Sequence, residues 1–266
     1  MSWNCILERV PKTQSTNDDL LVRWRAGQLI DPVARIAHEQ TAGKGRAGRV
    51  WLAQPNDTLC FSLAYPFPCR PNELSGLSLV VGLALITGIS TALNIPENVL
   101  YSQGLRLKWP NDLLLNNAKL GGILIEGGQT TLSDPSWMII GVGLNLRCAD
   151  HIAQRLGSQS SFELGALDQL IPAKNALPDM EFIWLQLLAS FEKYLTEFKQ
   201  FGFSHFQKTW AQWDAFDGQA VRISGGGAEP LLGISTGVDP SGALLLNQNN
   251  TIIPIHAGDV SLRVQS

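Results

Sequence analysis

The segment Glu39-Gln40-Thr41-Ala42-Gly43-Lys44-Gly45-Arg46-Ala47-Gly48-Arg49-Val50-Trp51 holds three cations within the six residues 44–49, with glycines between them and no acid among them. Glycines let a backbone come close to a ligand and present its N–H groups. Lys and Arg neutralise phosphate, and Arg adds forked hydrogen bonds. The combination describes a flexible clamp for a polyphosphate, and its plain alternative is a solvated basic hairpin tip. Two commoner phosphate motifs are excluded. Gly43-x-Gly45-x-x-Gly48 matches the dinucleotide fingerprint, which needs a helix directly after it, whereas Arg49-Val50-Trp51 runs through Pro55-Asn56 into a strand. GKGRAGR also departs from the P-loop pattern GxxxxGK[ST].

A second segment, Lys108-Trp109-Pro110-Asn111-Asp112, is followed by Lys119-Leu120-Gly121-Gly122-Ile123-Leu124-Ile125-Glu126. On a strand meander, residues so spaced meet at one end of adjacent strands. Two lysines and an aspartate there could hold an anion, a metal ion and a reacting amine. Glycines inside an apolar strand imply close approach by a ligand or backbone. The plain alternative is a surface Lys–Asp pair of little energetic weight.

Together with Ser15-Thr16-Asn17 and Gly141-Val142-Gly143-Leu144-Asn145, these segments resemble the biotin–protein ligase family in content and order. Gly242-Ala243-Leu244-Leu245-Leu246 resembles that family's terminal domain, so the likeness spans nearly the whole chain. KWPND followed by KLGGIL is its specific part; the 141–145 motif alone is weak.

The resemblance implies an ATP-dependent ligase that makes biotinyl-5′-adenylate and passes biotin to a lysine of a biotin carboxyl carrier protein. It implies that Ser15, Thr16 and Asn17 contact the ureido head, with Gln40 beside the ring system. Gly43, Gly45, Arg46 and Gly48 would wrap the intermediate, Arg46 on its phosphate. Arg49, Trp51, Lys108, Asn111 and Asn145 would belong to the nucleotide side. Lys119 would bind the α-phosphate and the biotin carboxyl region, and Gly121 and Gly122 would line the biotin tail. Asp112 would sit near the attacking lysine or Mg²⁺, with Lys119, Arg46, Asp112 and Lys108 forming the catalytic set. Lys44 and Ala47 depart from the family's arginine-rich loop, and Lys44 keeps charge without the fork.

Rival readings are a lipoate or octanoate ligase of related fold, a non-catalytic biotin sensor, and a nucleic-acid-binding SH3-like protein. The last is disfavoured because residues 217–266 contain only Arg222 and Arg263 as cations. The STN element begins at residue 15, which is expected to leave no room for the DNA-binding domain of some family members. A homodimer through sheet extension is implied for some members.

Such residues need a scaffold. Thr16 is expected to cap a helix, with Asp19 in a capping box, and Leu20, Leu21 and Trp24 on one face up to Gly27. Strands are expected at 33–37, 58–64, 105–109, 112–115, 120–126 and 137–142, the last ending in a glycine-rich stretch. Residues 148–179 read as irregular. Met180 to Phe203 has helical periodicity, with Trp184, Leu188, Phe191, Leu195 and Phe198 on one face. Short strands at 219–223, 231–237, 243–247, 251–255 and 260–264 predict a small SH3-like β-barrel. The expected class is α+β, a mixed sheet packed with helices in the manner of class II synthetases. The expected domains are 1–214, catalytic, and 215–266, barrel.

Composition adds bounds. A net charge of −3 gives no general attraction to nucleic acid or anionic membrane. Cys5, Cys60, Cys69 and Cys148 lack CxxC spacing and read as reduced thiols of a cytoplasmic protein. His38, His151, His205 and His256 form no metal-binding pair, so Mg²⁺ arriving with ATP is the only metal expected. Leu74 to Ile95 is uncharged, but its Ser, Thr and Gly content favours a buried helix over a membrane span.

Overall fold

A computed structural model describes residues 3–147, 163–172, 174–224, 229–256 and 261–264. Cys148, His151 and much of the segment expected to be irregular lie outside the described residues. A seven-stranded mixed sheet carries the site, in the order β1-β2-β5-β9-β8-β7-β6. Its members are β1 (Ile6–Thr13), β2 (Val33–Gln40), β5 (Thr58–Phe67), β6 (Leu105–Lys108), β7 (Asp112–Leu115), β8 (Ala118–Gly128) and β9 (Ser136–Asn145). β1 and β2 run parallel, and every other neighbour is antiparallel. Asn116 and Asn117, both at positive φ, form the two-residue turn between β7 and β8. β9 runs past the expected strand 137–142, since Gly143, Leu144 and Asn145 continue it.

The sheet has two unlike faces, because side chains alternate along each strand. Leu59, Phe61, Leu63, Ile140, Val142 and Leu144 point to one side, into the main core. There they meet α2 (Leu77–Leu93) and α4 (Met180–Phe201); between these helices in sequence lies α3 (Glu97–Ser102). The charge-free segment is thus a core helix, with no residue free to face lipid along most of its length. No helix among the described residues is long and apolar enough to cross a membrane. Gly88 lets α2 and α4 touch, since a Cβ there would lie 2.7 Å from Leu187 Cδ2. The expected α4 face is fully buried, and each such large apolar side chain contributes roughly 1.5–3 kcal/mol.

The opposite face is floored by small residues. Cross-strand pairing places Gly122, Gly143, Cys60 and Ala37 in one row, and Leu124, Gly141 and Ser62 in the next. Missing side-chain volume leaves a trough there. Helix α1 (Thr16–Arg25) closes one end, packing Leu20 and Leu21 on Val33, Ala64 and Ile139. Its N-cap is Ser15, not Thr16: the Ser15 hydroxyl accepts from Asp18 N at 3.3 Å. Asp19 makes no capping box, because its carboxylate is held by Thr13 and Arg35.

A second, five-stranded antiparallel sheet has the order β13-β12-β11-β10-β14. It comprises β10 (Ala220–Ser224), β11 (Leu231–Val238), β12 (Leu244–Gln248), β13 (Thr251–Ile255) and β14 (Ser261–Val264). The expected strands are present, but β13 and β14 end the order unpaired with one another. The unit is a small SH3-like sheet rather than a closed barrel. The short helix α5 (Gln207–Trp213) precedes it. The two sheets are joined by Trp109 Nε1 donating to Gly242 O at 2.9 Å, Ser75 Oγ to Ser241 O at 2.7 Å and Ala215 N to Leu107 O at 2.8 Å.

Candidate active site

The basic loop folds as a hairpin over the trough, with β3 (Gly43–Lys44) paired to β4 (Val50–Trp51). Gly45 N donates to Arg49 O at 2.7 Å, and Arg46 to Gly48 turn the chain with Ala47 and Gly48 at positive φ. Gly43 has no room for a side chain, as a Cβ would lie 2.4 Å from Trp51 O and 2.6 Å from Gln40 Nε2. Lys44 Nζ bonds the Asp18 carboxylate at 2.7 Å, tying the hairpin to α1. Arg49 turns back, its Nε donating to Arg46 O at 3.0 Å.

Trp51 lies flat on the floor. A Cβ at Gly143 would sit 2.2 Å from Trp51 Cε2, so only glycine permits this contact. The buried indole N–H finds no oxygen acceptor and faces the Cys60 sulfur. Burial pushes the Cys60 thiol up to about 12, against a smaller lowering by that N–H, so it stays protonated and is no nucleophile. Gly122 lies under the same group, with Trp51 Cζ3 at 3.4 Å and both Asp112 Oδ1 and Lys119 Cε at 3.5 Å from its ideal Cβ. Alternation turns Gly121 to the core face, where a side chain would meet Gly143 O and Leu144. Of the two glycines expected to line one ligand, only Gly122 opens on the trough.

The charged end gathers residues from four strands and a turn. Lys119 Nζ donates to Asp112 Oδ1 at 2.7 Å, and the buried Lys108 Nζ lies 3.8 Å from Asp112 Oδ2. Arg46 Nη1 reaches Asn111 Oδ1 at 3.0 Å, while Asn111 Nδ2 is anchored on Ile123 O at 2.8 Å. Two lysines thus flank one carboxylate, with Arg46 on the adjacent Asn111, an excess of positive charge that favours an entering anion. Among the described residues no group of three or more His, Cys, Asp or Glu could hold a metal ion. Asn145 gives its amide nitrogen to Lys119 O at 3.2 Å and Gly165 O at 3.0 Å. It steadies the backbone that bears Lys119, and only Oδ1 is left for a ligand.

The other end is polar and nearly sealed. Thr16 N donates to Gln40 Oε1 at 3.0 Å, and Thr16 Oγ1 meets Ser62 Oγ at 2.8 Å. Ser62 Oγ donates to Asn17 Oδ1 at 2.7 Å, and Asn17 Nδ2 donates to Glu126 Oε2 at 2.9 Å. Gly141 is the floor here, since a Cβ would fall 2.3 Å from Asn17 Oδ1. Ser15, expected on the ligand, is occupied with its own helix. Ser62 was not singled out from the sequence, its only signal a lone hydroxyl in the apolar run Leu59 to Leu63, and Glu126 stood only as the end of the second segment, with no role assigned. Beneath α1, Glu8 bridges Arg23 and Arg35, each at 2.8 Å. Burial alone would raise the Glu8 carboxyl, but hydrogen bonds from Arg35 and Arg23 hold it below the usual range.

Polar end and charged end lie along one strand: Gly141 under Asn17, and Gly143 two residues on, roughly 7 Å away, under Trp51. Such a trough fits a small ligand with a hydrogen-bonding head and an anionic tail, next to a phosphate site.

The chain is similar to known proteins in sequence and fold. Residues 8–145 match the model of the biotin/lipoate A/B protein ligase family, and residues 218–263 match the biotin protein ligase C terminal domain. The chain is 33% identical over 255 residues to the bifunctional ligase/repressor BirA of Escherichia coli, covering 96% of this chain and 73% of that protein. It is 31% identical to the biotin–[acetyl-CoA-carboxylase] ligase of Mycobacterium tuberculosis, covering 96% and 88%. Among solved structures, the biotin protein ligase of Aquifex aeolicus in complex with biotin and ATP superimposes with a TM-score of 0.76 at 25% identity, over 98% and 99% of the two chains.

Proposed function

Because the chain belongs to the biotin/lipoate A/B protein ligase family, we propose that it is an ATP-dependent biotin–protein ligase acting through the trough beneath Trp51. The observation that carries this reading is the pairing, on one glycine floor, of a polar head site with a cluster of three cations. Biotin's carboxylate attacks the α-phosphorus of ATP, giving biotinyl-5′-adenylate and pyrophosphate. A carrier-protein lysine then attacks the mixed anhydride, and AMP leaves.

In this reading Thr16, Asn17 and Gln40 hold the ureido head, and Ser15 shapes that site by capping α1. Trp51 and Gly122 hold the tail. Lys119, Lys108 and Arg46 neutralise the carboxylate and α-phosphate and stabilise charge that grows in the transition state. Gly43, Gly45 and Gly48 let the hairpin close over the adenylate, with Arg49, Asn111 and Asn145 on the nucleotide side. Asp112 keeps both lysines in place. Mg²⁺ brought with ATP would take ligands mainly from phosphate, with Asp112 as the carboxylate at hand, and would supply further charge neutralisation.

The acceptor is a biotin carboxyl carrier domain, as the name of the mycobacterial relative supports. Residues 1–214 form the catalytic unit and 215–266 the C-terminal one. Cytoplasmic residence accords with the unpaired Cys5, Cys60 and Cys69 among the described residues. A homodimer would extend the main sheet from the edge strand β1.

The test is biotin-dependent pyrophosphate release from Mg·ATP, with lipoate and octanoate in parallel. Release with biotin alone is expected. Release with lipoate or octanoate but not biotin would place the chain in the other branch of its family.

A further inference from the structure

Four side chains at the polar end form a hydrogen-bonded series whose direction can be worked out from one charged member. The Glu126 carboxylate only accepts. The Asn17 atom facing it at 2.9 Å must therefore be Nδ2, which turns Oδ1 toward Ser62. Ser62 must spend its single proton on Oδ1, so toward Thr16 it can only accept. Thr16 Oγ1, 2.8 Å away, must then donate to Ser62 rather than to Gln40 Oε1, which is farther at 3.3 Å. Thr16, Asn17 and Ser62 are all buried, so no water competes for these bonds.

We propose that Ser62 and Glu126 are positioning residues that set the donor–acceptor polarity of the head site. With its proton committed to Ser62, Thr16 offers a ligand only lone pairs, while Asn17 keeps one free N–H and Gln40 its amide nitrogen. An acceptor flanked by donors fits a cyclic urea, whose N–H meets Thr16 and whose carbonyl meets the donors. A dithiolane or alkyl head has no N–H to give, so it would leave Thr16 Oγ1 buried without a donor. The inference rests on the biotin reading of the site and adds to it what enforces selection for a ureido ring.

The sharpest test inverts the series. In Glu126→Lys the new ammonium can only donate, so Asn17 must present Oδ1 to it and Nδ2 to Ser62. Ser62 then donates to Thr16, which gives up one of its two lone pairs and frees its own proton to face the ligand's N–H as a competing donor. Glu126→Gln can play either part and serves as the conservative control, and Ser62→Ala breaks the series outright. Steady-state pyrophosphate release would be measured with biotin and ATP varied separately, alongside a thermal melt of each variant.

The expected result is a KM for biotin raised about tenfold or more in Glu126→Lys and Ser62→Ala, and about threefold or less in Glu126→Gln. The KM for ATP and kcat at saturating biotin stay within about threefold of the parent. A biotin KM unchanged in Glu126→Lys overturns the proposal, as does a parallel rise in both KM values with a lowered melting temperature, which marks a structural role. Absence of biotin-dependent release in the parent chain overturns the biotin reading itself and this inference with it.

Discussion

In the proposed reaction Lys119 is the residue on which the chemistry would turn, because it touches Asp112 and lies 5.7 Å from the Trp51 ring centroid, where tail and phosphate would meet. By analogy with loss of one preorganised oxyanion donor, Lys119→Ala is expected to slow adenylation ~10²–10³-fold, or about 3–4 kcal/mol. Single-turnover pyrophosphate release measures this, and an unchanged rate would remove Lys119 from the catalytic set. Most of this site was legible in the sequence because charged and glycine-rich segments stand out from an apolar background. Ser15 rather than the expected Thr16 is the cap because either hydroxyl can cap a helix start, and only the backbone bend decides which does. Ser62 escaped notice and Glu126 was given no role because their importance lies in partners 45 and 109 residues away.

The hairpin β3–β4 is the element whose seating matters most. It is held by Lys44 on Asp18, a half-exposed pair worth less than about 1 kcal/mol, and by Trp51 on Gly143. Gly143→Ala would drive the indole off the floor. The expected outcome is an intact thermal transition, with amide exchange in residues 43–51 faster by about tenfold or more and a raised KM for biotin. Unchanged exchange would mean that Trp51 does not anchor the hairpin. The helix from Met180 was legible because its periodicity matches its burial, and the strands at 105–108 and 112–115 because turn residues bound them. β1 was not foreseen, since an edge strand of mixed polarity shows no period, and β3 and β4 are too short to show one. The continuation of β9 through Gly143 to Asn145 was masked by glycines that usually mark loops but here make a floor.

At the scale of the whole molecule, the junction of the two sheets carries a buried carboxyl. Asp214 Oδ1 accepts from Phe216 N at 3.0 Å, while Oδ2 is buried without a partner. Burial pushes its pKa up to about 6 from 3.8, outweighing the lowering by that hydrogen bond, with Asp217 adding to the rise. The folded state therefore binds more protons than the unfolded state between roughly pH 4 and 6, so stability falls as pH rises through this window. Asp214→Asn should be neutral below pH 4 and stabilising by about 1–3 kcal/mol above pH 7. Denaturant unfolding at pH 4 and pH 8 checks this, and equal differences at both would refute it. The number and spacing of the C-terminal strands were legible, whereas closure was not, because barrel and open sheet share one strand pattern. How that unit meets the catalytic sheet, through Trp109 on Gly242, was likewise beyond local reading.

The central claim is that biotin, activated at the cation cluster, ends on a protein lysine. The direct measurement incubates the chain with biotin, Mg·ATP and an apo biotin carboxyl carrier domain, then probes the carrier with streptavidin and by intact mass. The account predicts one added biotinyl group per carrier, dependent on ATP and lost when the carrier's target lysine is replaced. Tight biotin binding with neither adenylate nor labelled carrier would contradict it and leave a binding protein in place of a ligase.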